Sequence, residues 1–360
     1  MPEKMIEELK EQMKYDLFHY PERTRKEELK YRIKRLLRPL QTPRRDPYFW
    51  PQAFMCQALE AAKEWEILVQ YYDGFCRAGM PVSQPDHVMN GYSLVYVYDK
   101  TGKAKYKRMM DSIYQYVLSY YEEHHHTLPY RRNHPTHMYV DALGMVVPFL
   151  CRYGDRFQVG EAIELGQKLL MEYLDKGMDK ETGLPYHGYD LITGVKYGII
   201  GWGRAVGWLL MAMADSVEYM KEGREKEKIV KAFQGLVKDC FSYVQSTGYF
   251  GWQLETLEGP ADTSATSMIA YAVAKGKNKA FLWGEGKPGE LMGKTKGDTG
   301  LSVKEAMDRM ERALFLSFEK GRIMDCSGEC EGFSRYPQVY GSYPWSNGPG
   351  LRFLLEKRKC

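Results

Sequence analysis

Apolar residues recur at intervals of three and four along most of the chain, which is the spacing of one buried face of an α-helix. Segments with this spacing include AFMCQALEAAKEWEILVQYY, YKRMMDSIYQYVLSYY and VGEAIELGQKLLMEYL. About a dozen such segments can be counted by this template. Alternating patterns typical of β-strands are scarce and short. The sequence therefore predicts an all-α protein.

The segments between the predicted helices are rich in Gly, Pro, Tyr and Trp, as in TLPYRRNHPTH, KETGLPYHGYD and SRYPQVYGSYPWSNGPG. Roughly one such loop follows each pair of helices, which is typical of a helical toroid whose loops at one end line a pocket. We expect a single (α/α)6 barrel over residues 1–360. An α-solenoid is the alternative, although no fixed repeat period is visible.

Residues 283–302 differ from the other connecting segments. They are rich in Gly and Lys and carry few apolar side chains. This composition predicts an exposed excursion from the barrel, either a solvated insertion or a lid over the substrate.

The charge balance excludes a strong attraction to nucleic acid or to a membrane. The net charge of the 360 residues is only +4, which remains compatible with a small anionic ligand. The first residues, MPEKMIEELKEQMKYDLFHY, are charged throughout and do not resemble a signal peptide. The seven Cys are scattered, which favours reduced thiols and a cytoplasmic protein. Whether the protein is a monomer or a homodimer is left open by the sequence.

Two carboxyl groups are candidates for catalysis. Asp141 lies in HMYVDALGMVVPFL, a predicted helix that is apolar on nearly all sides. A buried carboxyl is either paired or kept protonated, and a protonated carboxyl can act as a general acid near neutral pH. Asp86 precedes another buried-looking helical run, where an N-cap is the simpler interpretation. Together the two supply the pair of carboxyls that glycoside chemistry commonly uses.

The segment WGRAVGW suggests a sugar contact. Arg204 and Trp208 are four residues apart and share one face of a predicted helix. An indole can stack on a sugar ring while a guanidinium binds its oxygens, although simple packing of Arg on Trp explains the pattern equally well. We expect Gly203 and Gly207 to keep the backbone accessible there.

Three further residues are candidates for ligand contacts. His187 lies in the aromatic loop GLPYHGYD, a setting in which a histidine often contacts a polar ligand. Arg131 and Arg132 precede the Asp141 helix and are the nearest strong cations to that carboxyl. They could bind a uronate, or they could form an ordinary solvated turn.

Signals for metals and cofactors are weak. The consecutive His124, His125 and His126 point in different directions from a helix, and Cys326 and Cys330 have no further ligands at the usual spacing. The sequence has no phosphate-binding Gly loop and no dinucleotide fingerprint. We therefore predict neither a metal site nor a cofactor.

A set of motifs occurs in a fixed order along the chain: PDHVMNGYSLVYVYDKTGKAKY, MYVDALGM, GLPYHGYD, WGRAVGW, DTSATSMIAYAVAKG and WSNGPG. This set resembles the unsaturated rhamnogalacturonyl hydrolases of glycoside hydrolase family 105 and, more distantly, the unsaturated glucuronyl hydrolases of family 88. The resemblance covers roughly residues 45–356. It implies an (α/α)6 barrel and removal of a 4,5-unsaturated uronic acid from a small oligosaccharide made by a lyase, as in pectin degradation.

The resemblance also implies roles for individual residues. Asp141 matches the general acid and base, and Asp86 matches a second carboxylate of the active site. The positions that match substrate-binding residues are His187, Arg204, Trp208, Arg131, Tyr139 and Trp202. The implied reaction protonates C4 of the enol ether and adds water at C5, so that the anomeric carbon is never attacked.

Some positions depart from the pattern of these families. Tyr139 stands where Trp is usual, Tyr130 and Arg131 replace a His-Lys pair, and residues 203–207 replace the usual Ala-Arg-Gly-Asn-Gly. These changes leave open the sugar beyond the uronate and the origin of the uronate itself. A conventional glycosidase, an N-acylglucosamine-type epimerase and an inactive sugar-binding protein are the alternative functions.

Overall fold

The computed structural model describes residues 2–21, 25–37, 49–78, 82–121, 128–131, 134–280 and 302–360. Thirteen α-helices lie within these ranges. They are α1 (Pro2–His19), α2 (Arg25–Leu37), α3 (Phe49–Ala61), α4 (Trp65–Ala78), α5 (Asn90–Thr101), α6 (Ala104–Tyr120), α7 (Val140–Phe157), α8 (Gly160–Lys176), α9 (Gly203–Ala214), α10 (Arg224–Phe241), α11 (Thr263–Asn278), α12 (Val303–Leu316) and α13 (Pro344–Lys357). Short 3-10 helices cover Pro85–Met89 and Val217–Tyr219.

Twelve of the helices form two concentric rings. Helices α3, α5, α7, α9, α11 and α13 each pack against the next, and α13 packs against α3, so the inner ring is closed. Helices α1, α4, α6, α8, α10 and α12 lie outside and pack against the inner ones. This arrangement is the (α/α)6 barrel that the helical spacing predicts, and the predicted fold class is confirmed.

The two rings differ in sequence because they differ in burial. All twelve residues of α9 are buried, since neighbours surround an inner helix. The outer helix α12 buries only one face and keeps charged residues on the other. It begins with a capping box, in which Ser302 and Glu305 satisfy each other's free backbone N–H groups. The expected excursion at residues 283–302 precedes this cap and, apart from Ser302, lies outside the described residues, as do His124–His126.

Helix α2 is the thirteenth helix and is not one of the twelve that form the two rings. It follows α1 and exposes Leu29, Ile33, Leu36 and Leu37. Within the described ranges, no helix has the length and apolar character needed to cross a membrane.

Seven short strands complete the described structure. They are β1 (His137–Tyr139), β2 (Gly188–Asp190), β3 (Lys196–Tyr197), β4 (Phe318–Glu319), β5 (Arg322–Ile323), β6 (Cys326–Ser327) and β7 (Tyr340–Gly341). Strands β1, β2 and β3 form an antiparallel sheet in that order, β4 pairs with β5, and β6 pairs with β7. The β1–β2 sheet and the β6–β7 connection both lie at the end of the barrel where the inner helices begin. Strand β1 leads directly into α7, and Arg204 near the start of α9 donates to the Gly328 carbonyl of the connection.

The glycines of α9 have a role that the sequence did not indicate. A Cβ on Gly203 would lie 2.6 Å from Ala265 Cβ, and one on Gly207 would lie 2.6 Å from Met268 Cβ. Both neighbours belong to α11. The two glycines therefore allow close packing of α9 on α11, and the expectation that they expose backbone to a ligand was wrong.

Candidate active site

A cavity of about 480 Å³, open mouth included, lies at one end of the barrel. This volume is in the range of small-molecule sites. Its buried lining consists of Trp50, Tyr139, Asp141, Met145, His187, Arg204, Trp208 and Gly332. Four further residues line its mouth, namely the exposed Arg131 and Glu329 and the half-buried Tyr130 and Cys330. The cavity thus has a buried floor and a charged rim.

The inner helices begin at this cavity. Trp50, Asp141 and Arg204 are the second residues of α3, α7 and α9, and all three line it. Trp345 is the second residue of α13, and its ring centroid lies 4.7 Å from that of Trp50. Because a helix carries partial positive charge at its N-terminus, this end of the barrel favours anions.

Strand pairing places Asp141 beside His187. Strand β1 leads directly into α7, and His187 immediately precedes β2. The register sets Tyr139 opposite Gly188, and the Val140 N–H donates to the His187 carbonyl at 3.0 Å. Two residues separated by 46 positions are therefore neighbours because of a strand pair only three residues long.

The side chains of Asp141, His187 and Tyr336 form a hydrogen-bonded chain. His187 Nε2 lies 3.0 Å from Asp141 Oδ2, and His187 Nδ1 lies 2.7 Å from the Tyr336 hydroxyl. No described residue donates a hydrogen bond to Asp141 Oδ1. One oxygen of this carboxyl is thus held by His187, and the other is left for a ligand in the cavity.

Arg204 is buried at the cavity floor, and much of its hydrogen-bonding capacity is used by the protein. Its Nη1 donates to the carbonyl and hydroxyl oxygens of Ser327 at 3.0 and 3.1 Å, and its Nη2 donates to the Gly328 carbonyl at 2.8 Å. Arg204 therefore fixes the start of the β6–β7 connection besides lining the cavity. The predicted saccharide contact by this guanidinium stays a prediction.

The predicted aromatic residues occupy different places. Trp208 lines the floor, and Tyr139 lines the wall while stacking on Phe333 with centroids 4.0 Å apart. Trp202 is not among the lining residues. Its ring lies 4.5 Å from that of His187 and 4.8 Å from the Arg204 guanidinium, so it supports these two side chains from behind.

The rim carries opposite charges. Arg131 lines the mouth and is exposed, in agreement with its expected place near Asp141. Its predicted companion Arg132 lies outside the described residues. Glu329 faces the same opening, and partial burial raises the pKa of its carboxyl, with Glu331 and Asp141 adding to the shift while Arg204 and Arg131 oppose it.

Asp86 lies close to the cavity but not among the residues that line it. It belongs to the 3-10 helix before α5 and is buried. Its Oδ1 lies 3.7 Å from His87 Nε2 and accepts no hydrogen bond from the described residues. Burial raises the pKa of this carboxyl to about 7. The N-cap interpretation does not hold, because the cap of this short helix is Gln84.

Sequence reasoning missed several residues of the cavity, namely Trp50, Tyr130, Met145, Glu329, Cys330 and the supporting Tyr336. The sequence PYFW that ends at Trp50 is rich in aromatic residues, which was a usable signal. Glu329 and Cys330 lie in SGECEG, where only the cysteines drew attention as metal ligands. Burial instead raises the pKa of the Cys330 thiol to about 12, which keeps it protonated.

Comparisons with known proteins agree with this architecture. The family model described as Glycosyl Hydrolase Family 88 matches residues 52–289. Protein Atu3128 of Agrobacterium fabrum is 28% identical over 151 residues, which is 39% of this chain. The matched stretch spans 64% of that relative's length.

Solved structures share the barrel at low sequence identity. One of them is a family 105 glycoside hydrolase of C. acetobutylicum ATCC 824. It superposes with a TM-score of 0.72 at 18% identity, over 92% of this chain and 98% of that one. An unsaturated glucuronyl hydrolase specific for heparin superposes with a TM-score of 0.65 at 16% identity, over 86% of this chain and 85% of that one.

Proposed function

The chain belongs to glycosyl hydrolase family 88, and from this premise we propose that it removes a 4,5-unsaturated uronic acid from the non-reducing end of an oligosaccharide. We further propose a substrate of the rhamnogalacturonyl type. The observation that carries the proposal is Asp141, which is buried at the cavity floor with one oxygen on His187 and the other without a described partner.

The electrostatics of the cavity suit a uronate. A carboxylate on the terminal sugar would enter an opening formed by the N-terminal ends of inner helices, which favour negative charge. Arg131 at the rim offers a planar pair of donors that matches a carboxylate. The buried guanidinium of Arg204 adds positive charge at the floor.

The proposed reaction begins with protonation of carbon. Asp141, protonated on Oδ1, donates its proton to C4 of the enol ether. The electron pair of the C4=C5 bond forms the new C4–H bond, and positive charge develops at C5 and the ring oxygen. His187 holds Oδ2, so the acid keeps its orientation toward C4 during the transfer.

Hydration completes the reaction. Asp141, now a carboxylate, removes a proton from a water molecule whose oxygen bonds to C5. The product is a hemiketal, which opens to a ketone and releases the remaining sugar from C1. Asp141 ends protonated, as it began. The usual relation between carboxylate separation and stereochemistry does not apply, because C1 is never attacked.

Asp86 has a supporting part in this proposal. Its carboxyl lies near Glu329 and Tyr130 at the mouth, so its charge would contribute to the potential that a substrate meets there. Since its own pKa is raised to about 7, this influence would change over the neutral pH range.

The first test follows absorbance near 235 nm, where the conjugated enol-ether carboxylate absorbs. Wild type and Asp141→Asn would receive unsaturated disaccharides from rhamnogalacturonan, pectin and glycosaminoglycan lyases. We expect wild type to consume at least one of them, and kcat to fall by about 10³ or more in the variant, because general acid-base catalysis contributes up to about 10⁴.

The controls separate chemistry from folding. Glu331→Gln is the matched control, since Glu331 is exposed and does not line the cavity. Its rate should equal that of wild type. If folded wild-type protein consumes no unsaturated disaccharide, the proposed reaction is wrong. Conventional glycosides and N-acylglucosamine would then be assayed to test the glycosidase and epimerase alternatives.

A further inference from the structure

The charged rim of the cavity bears on which sugar follows the uronate. Asp141 lies on the buried floor, so the double bond that it protonates must also lie there. In a pyranose ring C1 lies across the ring from C4, and the next sugar is attached at C1. That sugar is therefore directed away from the floor and toward the mouth, which Glu329 lines.

Glu329 is not neutralised by a close cation. Among the described residues, no Lys, Arg or His nitrogen forms an ion pair with its carboxylate, whereas the neighbouring Glu331 pairs with Arg335 at 2.8 Å. Arg131 and Arg204 are near enough to affect its titration, but burial and nearby carboxyls outweigh them. A sugar in the mouth therefore lies near the Glu329 carboxylate, whose negative charge no ion pair with a described residue compensates.

Such a group discriminates between sugars by charge. It accepts hydrogen bonds from hydroxyl groups, and it repels a sulfate or a second carboxylate. The rest of the rim does not cancel this effect. Tyr130 is neutral, Cys330 is a protonated thiol, and Arg131 forms no ion pair with Glu329 among the described residues.

We propose that Glu329 is a specificity-determining residue that selects oligosaccharides in which the sugar next to the unsaturated uronate is uncharged. This inference rests on the proposed function for the orientation of the substrate. It extends that function by naming the residue and the chemical class that it excludes, namely sugars sulfated or carboxylated next to the uronate.

The test uses a matched pair of substrates, the unsaturated chondroitin disaccharide with and without a sulfate on its N-acetylgalactosamine. Both are given to wild type, Glu329→Gln and Glu331→Gln. We expect wild type to prefer the unsulfated disaccharide in kcat/KM by about tenfold, the effect of one charge at close range in a partly screened site. Glu329→Gln should reduce this ratio about fivefold, and Glu331→Gln should leave it unchanged. Added salt should narrow the ratio more in wild type than in Glu329→Gln.

Calorimetric titration of the same sugars supplies a second readout. It is done in the Asp141→Asn background with and without Glu329→Gln, so that turnover does not interfere. Suppose that wild type hydrolyses neither disaccharide, but Glu329→Gln still lowers the ratio of the affinity for the unsulfated disaccharide to that for the sulfated one. The proposed reaction is then wrong, and the proposed selectivity stands. If the unsulfated disaccharide is hydrolysed and the ratio is the same in Glu329→Gln and Glu331→Gln, the reaction stands and the selectivity is overturned.

Discussion

Asp215 and Asp86 are both buried next to inner helices, one at each end of the barrel, yet their surroundings differ. Asp215 accepts hydrogen bonds from Tyr271 at 2.6 Å, Lys275 at 2.9 Å and Arg352 at 2.9 and 3.0 Å. At the other end, Oδ1 of Asp86 accepts none from the described residues. Asp215 caps the C-terminus of α9, about 16 Å from Arg204 by helix rise.

The titration of the two groups reflects this difference. Burial alone would raise the pKa of Asp215, but Arg352 and Lys275 outweigh it and lower the value to about 2. Burial of Asp86 is opposed only by backbone N–H groups, and its pKa rises to about 7. The free-energy cost of burying a charged carboxylate is thus compensated by cations at Asp215, whereas at Asp86 it is not.

The comparison indicates how the barrel divides its tasks. Asp215 joins α9 to α11 and α13, and Arg352 also donates to Gln57 of α3 at 2.9 Å, so four inner helices meet in one network. The cavity end instead keeps carboxyl oxygens without protein partners, where a substrate can use them. Stability is concentrated where the inner helices end, and reactivity where they begin.

Replacing Asp215 by Asn should produce the larger loss of stability. The variant leaves the buried charge of Arg352 without its counter-ion, while Lys275 keeps Glu218 at 3.1 Å. Removing one partner of a buried ion pair typically costs about 3–5 kcal/mol in the free energy of unfolding. Urea unfolding followed by circular dichroism would measure it. Glu222→Gln is the matched control, because Glu222 forms an exposed pair with Lys226 that contributes less than about 1 kcal/mol. Equal stability of the two variants would contradict the division of tasks.

Replacing Asp86 by Asn should make the protein more stable relative to wild type as the pH rises, whereas replacing Asp215 should make it less stable. A carboxyl whose pKa is raised on folding stabilises the native state only while protonated, so its contribution is lost between about pH 4 and pH 7. Relative to wild type, Asp86→Asn should therefore gain up to about 4 kcal/mol across this range. The measurement is unfolding by urea at several pH values.

Asp190→Asn is the control of opposite sign. The carboxyl of Asp190 accepts hydrogen bonds from Thr136 and Thr193, which lower its pKa to about 2 despite the effect of burial. Its contribution to stability is complete above about pH 5, so the difference between this variant and wild type should stay constant from pH 5 to pH 7. If the free energies of unfolding of Asp86→Asn and wild type change in parallel with pH, folding does not raise the pKa of Asp86.

The ring of helices was predictable because it depends on local spacing. The three- and four-residue periodicity identifies inner and outer helices alike. The resemblance to family 88 that WGRAVGW and the other ordered motifs suggested is confirmed. Asp141, Arg204 and Trp208 share the cavity because helices place them at fixed positions along their axes. The substrate-binding roles of the predicted residues stay predictions.

The rest of the site depends on contacts that no local pattern encodes. His187 reaches Asp141 only through the pairing of β1 with β2, and Tyr336 reaches His187 across 149 positions. Glu329 faces the cavity because Arg204 fixes the carbonyls of Ser327 and Gly328. Each contact joins segments distant in sequence, so residue type alone gave no basis for choosing Glu329 over Glu331.

The hydroxyl of Tyr336 offers the smallest and most specific test of the cavity end. It lies 2.7 Å from His187 Nδ1, and His187 Nε2 lies 3.0 Å from Asp141 Oδ2. A hydroxyl that donates to Nδ1 places the proton on Nε2, where it can donate to Asp141. Tyr336→Phe removes this control of the tautomer and should lower kcat about two- to tenfold, the value of one hydrogen bond.

A change in pH dependence separates this positioning role from a merely structural one. Tyr336→Phe should shift the pH profile of kcat, because His187 no longer has a fixed partner on Nδ1, while KM changes little. The matched control is Tyr340→Phe, since the Tyr340 hydroxyl contacts only Gln338 at 2.8 Å among the described residues. If both variants keep the wild-type pH profile of kcat, Tyr336 packs beside His187 but does not set its tautomer. Among the hydrogen-bonded residues, only Asp141 and His187 would then be needed for the proton transfer.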